Sequence, residues 1–308
     1  MLLWGILGLV QSTLLPGLII LKVFRIRLGL IERIITIFVL SLLANYLVVF
    51  LLTALGIYNR TALVGLVFVE MLALMVLYRD EMHFSFSETA KKIGAALQEG
   101  SKPYLEMVPS GNDAGETLRF LLWFAFGCGA ISAILWALHV WRLNIGTVFS
   151  GQDTLFSWNA YAEIWARNSI PRIHGAYPQM ISANWSLSYV FQGKGYVQLF
   201  NTLLPPVFFL LIFVMLFDLG FQKKEAGFFI GAVIARYMMK KLLGDEIFNG
   251  YMDVPVAFMS FFVVYILLKG IDKDLAGRRQ AVLLALLFAS AAAVTKQIGF
   301  LILLLTPF

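Results

Sequence analysis

Charge is what this sequence has least of. Asp, Glu, Lys and Arg make up 14% of its 308 residues, against roughly 25% in globular domains. With 60% hydrophobic residues and a mean hydropathy of +0.83, this scarcity excludes a water-soluble core-and-surface design and defines a polytopic membrane protein. Cysteine is nearly missing too. Cys128 stands alone in an apolar run, so no internal disulfide framework exists. Met1 to Leu21 lacks both a basic n-region and a small-residue cleavage site, which reads as a retained anchor. There is no Gly-rich phosphate loop, nucleophile elbow or zinc motif, and His83, His139 and His174 show no metal-ligand spacing. Soluble nucleotide-dependent chemistry is therefore disfavoured, and a divalent metal has no support. The formal charge of +6 is spread between apolar runs and does not signal nucleic-acid binding.

Apolar runs fill the remaining sequence. About 20 apolar residues cross a bilayer, and on that measure spans fall near 1–21, 34–57, 62–78, 118–141, 197–219, 227–243, 251–268 and 280–295, with a ninth starting near 298. The sixth is interrupted by Arg236, Lys240 and Lys241. The expected fold is all-α and polytopic, with about eight or nine transmembrane helices and a large extracytoplasmic loop carrying interfacial helices. Short basic loops mark the cytoplasmic side. Lys22, Arg25 and Arg33, then Lys269, Lys273, Arg278 and Arg279, place the N-terminus and the loop at 142–196 outside. The segment 79–117 reads as an amphipathic helix and a flexible linker. The apolar run at the end, Leu-Thr-Pro-Phe308, is too short to span, and a fragment of a longer chain is expected.

The loop at 142–196 is the longest polar break. It opens Gly151-Gln-Asp153 and continues into a helical pattern with Trp158, Tyr161 and Trp165 on one face and Glu163 and Arg167 on the other. That spacing predicts a helix lying in the membrane interface, aromatic side down. Pro171, His174, Gly175, Tyr177, Pro178 and Gln179 then predict an ordered turn, and Asn184-Trp-Ser186 a second interfacial helix. Asn184 and Asn59 both fit the glycosylation acceptor pattern.

Polar residues inside or beside spans need a partner or a task. Glu70 reads as a neutral, hydrogen-bonded carboxyl between helices. Arg236 and Lys240 share a helix face, with Lys241 adjacent. They read equally as snorkelling cations or as a cradle for a phosphate. Asp253 opens a span with Pro255 in its first turn, and Asp153 precedes the aromatic helix. Either acid fits helix capping, and either fits catalysis. Thr295-Lys296-Gln297 interrupts the last apolar stretch on the outer side.

The order of these features resembles the membrane-embedded GT-C glycosyltransferases that use lipid-linked sugar donors, within them the protein mannosyltransferase-like and aminoarabinose transferase-like group. The resemblance rests on an acid just past a span, Asp153-x4-Trp158-x2-Tyr161, then Tyr251-Met-Asp253-Val-Pro255-Val, then Thr295-Lys296-Gln297-x-Gly299. It covers about residues 118–308, a catalytic membrane module, and leaves 1–117 as a three-span N-terminal addition. Thr154 stands where the family often has a second acid, and the usual C-terminal spans are missing.

The resemblance implies transfer of a sugar from a polyprenyl phosphate to a hydroxyl of a glycan, lipid or protein acceptor outside the plasma membrane. Asp153 and Asp253 would be its catalytic acids. Arg236, Lys240, Lys241, Lys296, His174, Tyr177 and Gln179 would bind substrate. No cofactor is implied with certainty. Two other classes remain open: a transporter or flippase of lipid-linked glycans, and a non-catalytic membrane scaffold. Convergence of Asp153 and Asp253 on one outward-facing cavity favours the enzyme, and a central pore favours the transporter.

Overall fold

A computed structural model describes residues 2–26, 28–79, 114–144, 149, 151–172, 177–193, 204–223, 250–271 and 273–306, with isolated helical positions at 231, 234, 237 and 241. Among these residues the only regular structure is helical. In chain order the helices are α1 (Leu2–Thr13), α2 (Leu15–Val23), α3 (Leu30–Ala54), α4 (Arg60–Leu77) and α5 (Ala114–Asn144). A π-helical stretch (Thr154–Asn159) then runs into α6 (Ala160–Ala166). The rest are α7 (Met180–Gln192), α8 (Leu204–Lys223), α9 (Asp253–Gly270), α10 (Leu275–Ala293) and α11 (Gly299–Leu305).

Five segments are long and apolar enough to cross a bilayer: Leu3–Val23, Leu30–Ala54, Arg60–Leu77, Asp253–Gly270 and Leu275–Ala293. The chain is an integral membrane protein. The expected fourth span lies inside α5, and the apolar part of the fifth is the shorter run Val207–Gly220. Most of the expected sixth span, including Arg236 and Lys240, lies outside the described residues, as does nearly all of the linker at 79–117.

The first span is two helices. Pro16 carries no N–H and breaks the ladder at Leu14. The Gly17 N–H bonds instead to Ser41 Oγ of α3 at 2.9 Å. A side chain at Gly17 would run into the Ile37 carbonyl, so this glycine is what lets α2 and α3 touch backbone to backbone. Asn59 caps α4 by accepting from the Ala62 N–H at 3.0 Å, and Asp274 caps α10 by accepting from Gly277 at the same distance.

The loop helices sit differently from the expectation. All of α7 except Tyr189 and Val190 is buried, covered by α1, α3 and α6. Its Asn184 amide donates to Leu42 O and Met180 O, both at 2.8 Å, which leaves that sequon asparagine inaccessible in this fold. The aromatic stripe likewise turns inward. Trp158 and Trp165 are 5% and 2% exposed, while Glu163 and Arg167 pair at 3.4 Å on the outer face. An aromatic stripe at helical spacing looks the same in sequence whether lipid or another helix covers it.

One hydrophobic core joins the two halves of the chain. Ile35, Phe38 and Leu42 of α3 pack in the same cluster as Trp185, Phe208, Phe258 and Phe288. The N-terminal helices and the 118–308 region thus share a core, and α7 is held by both.

Candidate functional site

Two polar centres mark opposite ends of α9. Asp253 is its first residue and Lys269 its next to last, 16 residues on, so they stand about 24 Å apart.

At the Asp253 end, three chain segments meet. Phe149 stacks on Trp185 with ring centroids 4.9 Å apart. Gly151 lies against the Tyr251 ring so closely that a Cβ would stand 2.9 Å from it. Gly250 has φ +82°, and a Cβ there would lie 2.7 Å from Thr154 Cγ2 and 2.9 Å from both Phe149 and Trp185. Gly250 is required by its left-handed backbone as well as by close approach, and Gly151 leaves room for the Tyr251 ring. Their packing brings the Asp153 segment against the Asp253 segment.

The third segment follows α10. The Met180 N–H donates to Val294 O at 3.0 Å, fixing the end of α10 to the start of α7. Thr295 bonds back to Ala291 O at 2.7 Å. Gly299 nestles on the Ala292 backbone and donates its N–H to Lys296 O at 2.9 Å, which folds Lys296 back over α9. Lys296 Nζ then reaches Asp253 Oδ1 at 2.7 Å, with the two side chains 30% and 52% exposed. Asp253 thus makes an ion pair in the first turn of α9, where a negative charge also suits the helix dipole.

Asp153 is exposed. It makes no capping hydrogen bond to the helical stretch it precedes, so capping does not account for it. The stretch just after it is π-helical, a widened turn frequent at functional sites. Thr154 is fully buried there, and its hydroxyl has no hydrogen-bond partner.

Of the other sequence candidates, Tyr177 is 39% exposed and packs edge-on against Trp158 at 5.4 Å. Gln179 is buried and accepts the Trp165 indole N–H at 2.8 Å, a packing role. Lys241 is helical and exposed. Arg236, Lys240 and His174 lie outside the described residues.

The junction is braced by the α3–α4 connection. The Tyr58 N–H donates to Asn168 Oδ1 at 3.1 Å, and its hydroxyl lies 2.7 Å from Ser186 Oγ. Asn168 holds φ +57°, a left-handed stop to α6 that asparagine tolerates. Burial pushes the Tyr58 phenol well above its ordinary value of 10.0.

The other polar centre was not legible in sequence. At the far end of α9, Lys269 Nζ lies 2.5 Å from Glu32 Oε1 of α3 and 2.8 Å from Asp218 Oδ2 of α8. The Tyr265 hydroxyl donates to the same Asp218 oxygen at 2.6 Å. All three charged side chains are at most 13% exposed. In sequence Lys269 reads as an inner-loop cation, and nothing singles out Glu32 or Asp218. What could have signalled the cluster is that Tyr265 and Lys269 share a helix face, four residues apart.

Fold and site together define an all-helical integral membrane protein that has, among the described residues, a partly exposed acid–lysine centre and a buried one. No protein-family model matches the sequence, and no curated protein or solved structure matches it. Among the described residues, no group of three or more His, Cys, Asp or Glu side chains is arranged to hold a metal ion.

Proposed function

We propose that this protein is a GT-C-type glycosyltransferase. It would have eight or nine spans in the plasma membrane and its site on the extracytoplasmic face. The observation that carries the reading is the packing of the Asp153 segment on the Asp253 segment, with Lys296 paired to Asp253 beside them. An exposed acid with no capping role, on a segment packed against the one that carries a second acid at the end of a span, is what an interfacial transfer site needs.

In this reading the Asp153 carboxylate takes the proton of an acceptor hydroxyl as its oxygen attacks the anomeric carbon of the donor. The bond from that carbon to the phosphate oxygen breaks, and polyprenyl phosphate leaves with the electron pair. Such a single displacement inverts the anomeric centre. Phosphate is a good leaving group, so no strong general acid is required. Lys296, with Arg236, Lys240 and Lys241, would stabilise the charge that develops on it. Asp253 keeps Lys296 at the mouth of the site. A donor anchored in the bilayer explains why these residues sit at the end of a span.

The test is to incubate the purified full-length protein with a polyprenyl-phosphate hexose and a panel of glycan, lipid and peptide acceptors. Release of polyprenyl phosphate with formation of an inverted glycoside supports the proposal. Movement of the intact lipid-linked sugar across a proteoliposome, without cleavage, would instead make the protein a flippase.

A further inference from the structure

Three side chains deep in the N-terminal helices form a polar cluster that the transferase reading does not use. Gln11 of α1 and Asn45 of α3 are fully buried, and Glu70 of α4 is 8% exposed. Gln11 Nε2 donates to Asn45 Oδ1 at 3.0 Å and to Glu70 Oε1 at 3.2 Å. Asn45 Nδ2 donates to Gln11 O and to Ser41 O, both at 2.8 Å. An amide nitrogen carries two hydrogens, so both amides are fully used as donors. Their orientation is determined by those four acceptors, since turning either amide over would set oxygen against oxygen.

Two acceptors are left over. Gln11 Oε1 and Glu70 Oε2 are buried and have no hydrogen-bond partner. They belong to side chains already hydrogen-bonded to each other through Gln11 Nε2 and Glu70 Oε1. A water molecule would satisfy their hydrogen bonds but leave a carboxylate charge in the interior of a span, ten residues or about 15 Å from the start of α4.

No described side chain supplies the opposite charge. Helices α1 and α7 carry no charged residue, and the Tyr189 hydroxyl of α7 bonds to Asn159. In α3, Glu32 is engaged with Lys269, and Arg33 lies at the same distant end of the helix. Tyr46 is next to Asn45 and is uncharged. Lys22 of α2 stands over the ring of Tyr78, two turns beyond Glu70, and Arg60 lies at the other end of α4 over Trp4.

We propose that Gln11, Asn45 and Glu70 form an intramembrane binding site for one monovalent positive charge, occupied by a proton on Glu70. A proton on Oε2 donates to Gln11 Oε1, completing the hydrogen bonding and removing the charge in one step. The site does not depend on the glycosyltransferase reading.

The test uses dicyclohexylcarbodiimide, an apolar reagent that reaches carboxylic acids inside bilayers. The acid O–H adds across a C=N bond of the reagent, and the O-acylisourea rearranges to a stable N-acylurea with no leaving group. The full-length protein in proteoliposomes should acquire this adduct on the peptide containing Glu70. A water-soluble carbodiimide should not give it. Glu70→Gln should abolish the adduct and fold at least as stably as the parent, because its amide supplies the missing donor permanently. Equal yields in sodium and choline buffers identify the proton as occupant. Threefold or greater protection by sodium overturns the proton and assigns the same three residues to Na⁺. No adduct on Glu70, or equal labelling by the water-soluble reagent, overturns the site, and the wild-type protein alone gives that result if Glu70→Gln fails to fold.

Discussion

Replacing Lys269 with methionine tests how the helices are held together at the end of the molecule opposite Asp253. The substitution keeps most of the side-chain volume and removes the cation that bridges Glu32 and Asp218. Asp218 retains the Tyr265 hydroxyl as a donor, whereas Glu32 loses its ion pair with Lys269 and stays buried. Removing one member of a buried ion pair costs roughly 3–5 kcal/mol, because the remaining charge has been stripped of water and left uncompensated. At roughly 2–4 °C per kcal/mol for soluble domains of 150–250 residues, Lys269→Met should melt about 6–20 °C below the parent. The assay is loss of the monodisperse gel-filtration peak in detergent on heating. Adding Glu32→Gln in the same background removes the orphaned charge and should restore more than half of the loss. A Lys269→Met protein that melts with the parent, or a double variant with no recovery, would refute the reasoning.

Gly250→Ala should destabilise by about 1–3 kcal/mol, the cost of a residue held in a sparsely populated backbone region. Its effect should be larger on sugar transfer, because the added carbon pushes on Thr154, Phe149 and Trp185; melting curves and transfer rates measured side by side separate the two. Tyr58→Phe removes the bond to Ser186 and should cost about 0.5–1.5 kcal/mol. The Tyr58 phenol is raised above 10.0 by burial. The stability it contributes is therefore complete below the unfolded-state value and is lost as pH rises toward the folded-state value. Alkaline melting curves of the parent should show this loss, and those of Tyr58→Phe should lack it.

The membrane class and most span positions were legible because each rests on a local property, a run of about 20 apolar residues. The positions of the loop helices were not. Trp158 and Trp165 declare an apolar face, but nothing local says that α7 will cover it, and α7 itself reads as interfacial until α1 and α3 close over it. Asp153, Asp253 and Lys296 were singled out as polar residues near apolar runs. The approach of the segments that carry them depends on Gly151, Gly250 and Gly299, whose roles appear only when the segment each one touches is known. The cluster of Glu32, Asp218 and Lys269 escaped for a similar reason. Each looks like an ordinary boundary charge, and only the packing of three sequence-distant helices makes them neighbours. Glu70 was read as hydrogen-bonded, but Gln11 and Asn45 were hidden in spans that hydropathy treats as uniform.

The central claim, that Asp153 acts as a base, is tested most directly by Asp153→Asn in the full-length protein with a lipid-linked sugar donor. The side chain is exposed and makes no capping hydrogen bond, and asparagine caps a helix about as well as aspartate, so folding and membrane insertion should be unchanged. Asparagine cannot accept the acceptor's proton. Transfer should fall by on the order of 10²-fold or more while the melting temperature stays at the parent value. Normal turnover in a well-folded Asp153→Asn protein would contradict the account.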